Sequence, residues 1–111
     1  MTWSSHFLTV WASALLALSV LPAVAYEGLQ ADYATCAQGR GKVVNNRIVA
    51  ACTRLIDNSA QKNELVGYFY ALRAIASTDR ASNCNDTRIA LKLLKDPKLV
   101  AHVRALQKAN C

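Results

Sequence analysis

Four stretches of the chain repeat apolar residues at the period of an α-helix. In residues 45–57, Ile48, Cys52, Leu55 and Ile56 recur at i, i+4, i+7 and i+8, one stripe with Cys52 on it. Asn58-Ser59 ends that segment, with Ser59 placed to cap the next helix. Residues 60–77 carry the strongest pattern: Leu65, Tyr68, Phe69, Leu72, Ile75 and Ala76 hold the period for three turns, until Ser77, Thr78 and Asp79 break it. A third helix is expected over 86–95, with Asn83 or Asn85 as cap, Asp86 near the positive end of the dipole, and Ile89, Ala90, Leu93 and Leu94 as its apolar face. Asp96-Pro97 is a sharp start signal for a fourth, an N-cap followed by Pro at the first helical position. That helix runs to about Asn110 with Leu99, Val100, Val103 and Leu106 inward. No segment alternates polar and apolar as a half-buried strand does. The expected fold is all-α: four short helices arranged as two antiparallel helical hairpins, since short loops make sequential helices neighbours.

Two segments fall outside this pattern. Residues 26–44 hold Tyr26, Gly28, Tyr33, Cys36, Gly39 and Gly41 and are the least regular, with at most a short turn of helix around 28–37. Gly39-Arg40-Gly41-Lys42 reads as a flexible loop and lacks the spacing of a phosphate-binding loop. Residues 7–25 are uncharged and apolar, with Pro22 ahead of Ala23-Val24-Ala25, the small-x-small pattern cut by signal peptidases. Residues 1–25 are therefore expected to be a signal peptide, although no Lys or Arg precedes the apolar run and an uncleaved anchor is the alternative reading. The mature chain, an irregular 26–44 joined to a helical 45–111, is expected to be one exported domain, periplasmic or secreted. Removing the signal leaves all 13 Lys and Arg and all 7 Asp and Glu, so the net charge stays +6.

A domain this short builds only a modest core. Small exported proteins often add disulfides, and Cys36, Cys52, Cys84 and Cys111 are an even number in an exported chain. Four cysteines allow three connectivities. Cys84 precedes the third helix and Cys111 follows the fourth, so an antiparallel hairpin brings them together and leaves Cys36 for Cys52. Each bridge would stabilise the fold by roughly 3–3.5 kcal/mol in the chain-entropy model. A metal site is not expected: no two cysteines are close in sequence, and His102 is the one histidine left after residue 25.

The second and third helices resemble a tetratricopeptide-repeat unit. From Phe69, this chain has Leu72, Ile89 and Pro97 in register with the repeat, and Arg73, Ala76 and Asn85 where the repeat has Gly, Tyr and Ala. The segment Ile48-Val49-Ala50-Ala51-Cys52-Thr53-Arg54-Leu55-Ile56 is similar to the cysteine-bearing helix of small exported bacterial proteins with such helices. The resemblance covers about residues 48–97. It implies helical hairpins that present a groove to a protein partner, without catalysis.

The residues themselves offer little for catalysis. His102 is the one base available to a Ser or Cys nucleophile, the cysteines are expected to be oxidised, and the carboxylates are scattered among helix ends. No cofactor is expected. Asn85-Asp86-Thr87 fits a glycosylation sequon and equally a helix cap. Two surfaces stand out for binding. Val66, Tyr70 and Arg73 share a helix face away from the main stripe, and Tyr and Arg are over-represented at binding hot spots. Arg88, Lys92 and Lys95 fall at i, i+4 and i+7, and Lys98, Arg104 and Lys108 extend the positive charge. Such a stripe attracts anionic lipid, acidic polymer or an acidic partner. Nucleic acid is not an expected partner, because no aromatic platforms are interleaved with the charge. The reading is a non-enzymatic, exported domain that binds an envelope or extracellular protein, with association at an anionic surface as the alternative.

Overall fold

The computed structural model describes residues 28–111; the expected signal segment lies outside them. The chain divides into residues 1–30 and a compact unit of residues 31–111, and the packing below is that of the second unit. The described residues are helical throughout: α1 (residues 28–37), α2 (Asn46–Asp57), α3 (Glu64–Ala76), α4 (Arg80–Leu93) and α5 (Pro97–Asn110). A single 3₁₀ turn, Gln38–Gly41, follows α1 and ends at Lys42, whose φ of 57° is left-handed. The short helical turn expected near residues 28–37 is thus a full helix, and the segment expected to be irregular is mostly ordered by it.

Helix starts follow from polar side chains that satisfy free amides. Asn45 accepts from the Arg47 amide at 2.7 Å, and Asn63 from the Val66 amide at 3.1 Å. Ser59, expected to cap α3, instead donates back to the Leu55 carbonyl at 2.6 Å and closes α2, so α3 begins only after Asn63. Asp96 accepts from the amides of Lys98 and Leu99, with Pro97 at the first position as expected. Glu64, at the start of α3, reaches across to accept from the amides of Lys95 and Asp96 and so pins the turn between α4 and α5.

The third expected helix starts two turns early, at Arg80 rather than residue 86. Asp79, read as a break, is its N-cap residue, and its carboxylate accepts from Ser82 Oγ at 2.8 Å. The added turns bury polar residues. Asn83 donates to the Ser77 carbonyl at 2.8 Å and Thr87 Oγ1 to the Cys84 carbonyl at 2.9 Å. Asp86 is no dipole ornament; it is buried against Arg73.

Helix α3 is the centre of the unit, packed on α2 along one side and on α4 along another, with α5 closing on α4. Val66, Phe69, Leu72 and Ala76 join Ile48, Ala51, Cys52, Leu55 and Ile56 of α2 in one core. Ala71 joins Ala90, Leu94 and Val103 in a second, and Tyr68 and Tyr70 touch both. A helix apolar on several sides is one buried on several sides. Close approach of α3 to α4 rests on Gly67, where a Cβ would lie 2.8 Å from the Leu93 Cβ. Helix α1 docks through Tyr33, edge-on to Phe69 at 5.9 Å between ring centres, and through an Asp32–Arg54 ion pair at 2.8 Å.

The cysteines are bonded Cys36–Cys52 and Cys84–Cys111, the two pairs that hairpin geometry favours. The first ties α1 to α2 inside the core; the second joins α4 to the end of α5.

Candidate functional site: a cleft beside the central helix

Central packing decides which face of α3 meets solvent. Leu65, expected inward, is 50% exposed, whereas Val66, expected on the outer face, is 2% exposed. Small residues explain the rotation. Gly67, Ala71 and Ala74 let neighbouring helices come close on the side where the large apolar stripe is absent. Val66, Tyr70 and Arg73 therefore do not form a free surface. Val66 belongs to the core, and Tyr70 is half-buried beneath Arg73, whose guanidinium carbon sits 5.2 Å from the ring centre. Arg73 binds Asp86 at 2.7 and 2.8 Å and Thr53 at 3.2 Å. The Asp86 hydrogen bonds hold the Arg73 charge more firmly than usual, against the opposing effect of burial. A polar pocket of about 390 Å³ opens over this pair, lined by Thr53, Ser77, Asp79, Ser82 and Asn85 among others, but the pair closes its floor on itself.

The exposed side of α3 carries a different arrangement. Leu65, Tyr68, Leu72 and Ile75 recur at i, i+3, i+7 and i+10, with Leu72 itself buried under the 3₁₀ turn; Leu99, His102, Leu106 and Ala109 of α5 repeat the same spacing. Each of α3, α4 and α5 reverses on its predecessor, so α3 and α5 run parallel and their stripes lie side by side. Between them are two apolar depressions. One, of about 600 Å³, is lined by Leu65, Tyr68 and Leu99 with Arg40, Glu64, Asp96 and Lys98 at its rim. The other, of about 350 Å³, is lined by Ile75, His102, Ala105, Leu106 and Ala109 with Lys42. The 3₁₀ turn and Lys42 thus wall one side of a cleft that has α3 as floor and α5 as the other wall. Gly39 seats that turn, since a Cβ there would press to 3.1 Å from the Leu72 carbonyl oxygen.

The rim charges are unequal. Glu64 is engaged by the amides of Lys95 and Asp96, and Asp96 caps α5. Arg40 and Lys98 form no ion pair; the two ion pairs among the described residues are Asp32–Arg54 and Arg73–Asp86. Burial raises the Tyr68 hydroxyl above the ordinary tyrosine range, and the nearby Arg40 charge partly offsets this.

The basic residues singled out in sequence, Arg88, Lys92, Lys95, Lys98, Arg104 and Lys108, are all exposed. The Asn85 sequon lies inside α4 with Thr87 fully buried, so it is helix interior rather than loop. Among the described residues no group of three His, Cys, Asp or Glu could hold a metal ion, and no helix is long and apolar enough to cross a membrane. What the sequence reading missed is the cleft, whose signal was the identical spacing in α3 and α5. No protein-family model, curated protein or solved structure matches the chain.

Proposed function

We propose that this is an exported, non-enzymatic domain that binds another protein through the α3–α5 cleft. The observation that carries the reading is the pair of apolar depressions between α3 and α5, one at Leu65, Tyr68 and Leu99 and one at Ile75, His102 and Leu106, with Arg40, Lys98 and Lys42 free of ion pairs at their edges. Leu65 at 50% exposure sits within the first depression and is not an isolated surface residue. Contiguous apolar floors rimmed by polar groups mark interaction sites. From Leu65 to Ile75 the floor extends about 15 Å at the helical rise. That accommodates about three turns of an amphipathic helix, the helix-in-groove mode of recognition. With its carboxylates engaged internally and Arg40 and Lys98 unpaired, the rim favours a ligand segment that follows its apolar anchors with acidic residues. The tetratricopeptide resemblance leads to the same class of function. Two oxidised cysteine pairs fit an oxidising compartment outside the cytosol.

Peptide display against the oxidised protein tests the reading. Enrichment of segments with apolar residues at i, i+3/i+4 and i+7 flanked by Asp or Glu is expected. Their binding should fall at least about tenfold with Leu99→Glu or Leu65→Glu, because a charge placed on the apolar floor opposes burial of the anchor. Enriched peptides indifferent to both substitutions would overturn the assignment of the cleft. Mass spectrometry of the exported protein tests the location: a mature chain beginning after Ala25 is expected, and an intact Met1 counts against it.

A further inference from the structure

A second surface, on the opposite side of the α4–α5 hairpin from the core, carries a separate inference. We propose that this hairpin rests on an anionic lipid bilayer through its outward cations, while the cleft stays free for a protein. On α4, Arg88 and Lys92 are exposed, whereas Asn83, Asp86, Thr87 and Ala90 are buried, and the exposed Lys95 stands in the turn that follows. On α5, Arg104 and Lys108 lie away from Val103, the residue buried at its core face, and Lys98 stands at the edge this surface shares with the cleft rim. All six are exposed and none is ion-paired.

The hairpin's own acids offset them only in part. Asp86 is buried against Arg73, and Asp96 caps α5. Glu64 of α3 accepts from the amides of Lys95 and Asp96. The positive groups are therefore spread over two adjacent helices of 14 residues each and the turn between them, a broad field rather than a single line. That shape fits a plane of phosphate headgroups better than a single acidic strand. The exposed residues among the cations include Pro97 and Ala101, which are too small to insert into the acyl region. Binding is thus electrostatic and lies on the headgroups. Each cation near an anionic surface strengthens association by roughly fivefold, and the effect fades within a Debye length as salt rises.

Sedimentation with vesicles is the test. The oxidised protein should pellet with phosphatidylcholine vesicles containing about 30% phosphatidylglycerol. It should stay in solution with pure phosphatidylcholine and be released by added salt without vesicle leakage. Lys92→Glu with Lys95→Glu should weaken binding at least about 25-fold. Arg47→Glu with Lys62→Glu changes the net charge from +6 to +2 in the same way, but on α2 and the loop after it, and should weaken binding by no more than about threefold. Circular dichroism confirms that both variants fold. Equal losses in the two variants, or no pelleting on the anionic vesicles at low salt, would overturn the proposal. So would capture by soluble polyphosphate at matched phosphate in preference to vesicles. Leu99→Glu should leave vesicle binding intact, which separates failure here from failure of the cleft.

Discussion

Arg73 of α3 and Asp86 of α4 meet in a bidentate pair, Nε to Oδ2 at 2.8 Å and Nη2 to Oδ1 at 2.7 Å, with the carboxylate side chain 3% exposed and the arginine 21%. The pair sits where the two most closely packed helices cross. Its members are unequal because water reaches the cation but not the anion. Arg73→Met should cost about 3–5 kcal/mol, since it leaves a buried carboxylate without its partner. Asp86→Asn should cost less, because the orphaned guanidinium can still be solvated and stays over Tyr70. The double variant Arg73→Met, Asp86→Leu should recover most of the loss, as replacing both partners by apolar groups often does. Urea unfolding of the three variants checks this, and a double variant no more stable than Arg73→Met would refute the argument.

Gly67→Ala sets two effects against each other. Within a helix, alanine is favoured over glycine by about 1 kcal/mol. The new Cβ would stand 2.8 Å from the Leu93 Cβ, too close for real carbon atoms, and neither is at the end of a flexible side chain. Overpacking of this kind costs about 1–3 kcal/mol. The clash should win, giving a net loss of about 1–2 kcal/mol in thermal or urea unfolding. A rise in stability would mean that α3 and α4 separate more easily than their packing implies.

Much of this fold was legible because single residues marked it. Asp96-Pro97 starts α5 where the sequence places it, and the α2 stripe of Ile48, Cys52, Leu55 and Ile56 is buried as its period requires. Two of the misreadings share one cause. Periodicity weights large apolar residues, whereas contacts at the centre of this unit are made by small and polar ones. Gly67, Ala71 and Ala74 turn α3 so that Val66 is covered and Leu65 is not. Asn83, Asp86 and Thr87 bury the first turns of α4 with no apolar signal at all. The partner of Asp86 is 13 residues away, a distance at which local pattern says nothing. The cleft was missed for the same reason, since its floor was counted as core.

The start of α4 gives the fold a small acid-sensitive element. The hydrogen bond from the Ser82 hydroxyl holds the Asp79 carboxyl below its ordinary value of 3.8. The folded state therefore favours the ionised form, and the contribution is present above 3.8. It is lost as pH falls through the lower folded value. Ser82→Ala should thus reduce stability at about pH 6, and the gap to the parent protein should close by about pH 2.5. Asp79 is fully exposed, so the gap should be small and should shrink in salt. Paired urea titrations at the two pH values would read it, and a loss that persisted in acid would mean that the Ser82 hydroxyl acts independently of Asp79 ionisation, since alanine by itself favours the helix.

The two disulfides differ in exposure, and that difference orders their reduction. Cys36 and Cys52 are both fully buried, whereas Cys84 is partly open and Cys111 is exposed at the end of α5. A thiolate reductant must reach a sulfur to attack it. Mild reductant without denaturant should therefore open Cys84–Cys111 first, and alkylation followed by peptide mapping should find label on those two residues alone. Losing the bridge frees a separation of 27 residues and should cost about 3.5 kcal/mol in the chain-entropy model. The helices should persist, because Val103 and Leu94 still hold α5 against α4. Opening Cys36–Cys52 should cost more than its separation of 16 residues implies, since its sulfurs lie in the main core and would become buried thiols without the tether that positions α1. Cys36→Ala with Cys52→Ala should then melt below Cys84→Ala with Cys111→Ala, despite closing the shorter loop. The reverse order would mean that loop length outweighs core position in this domain.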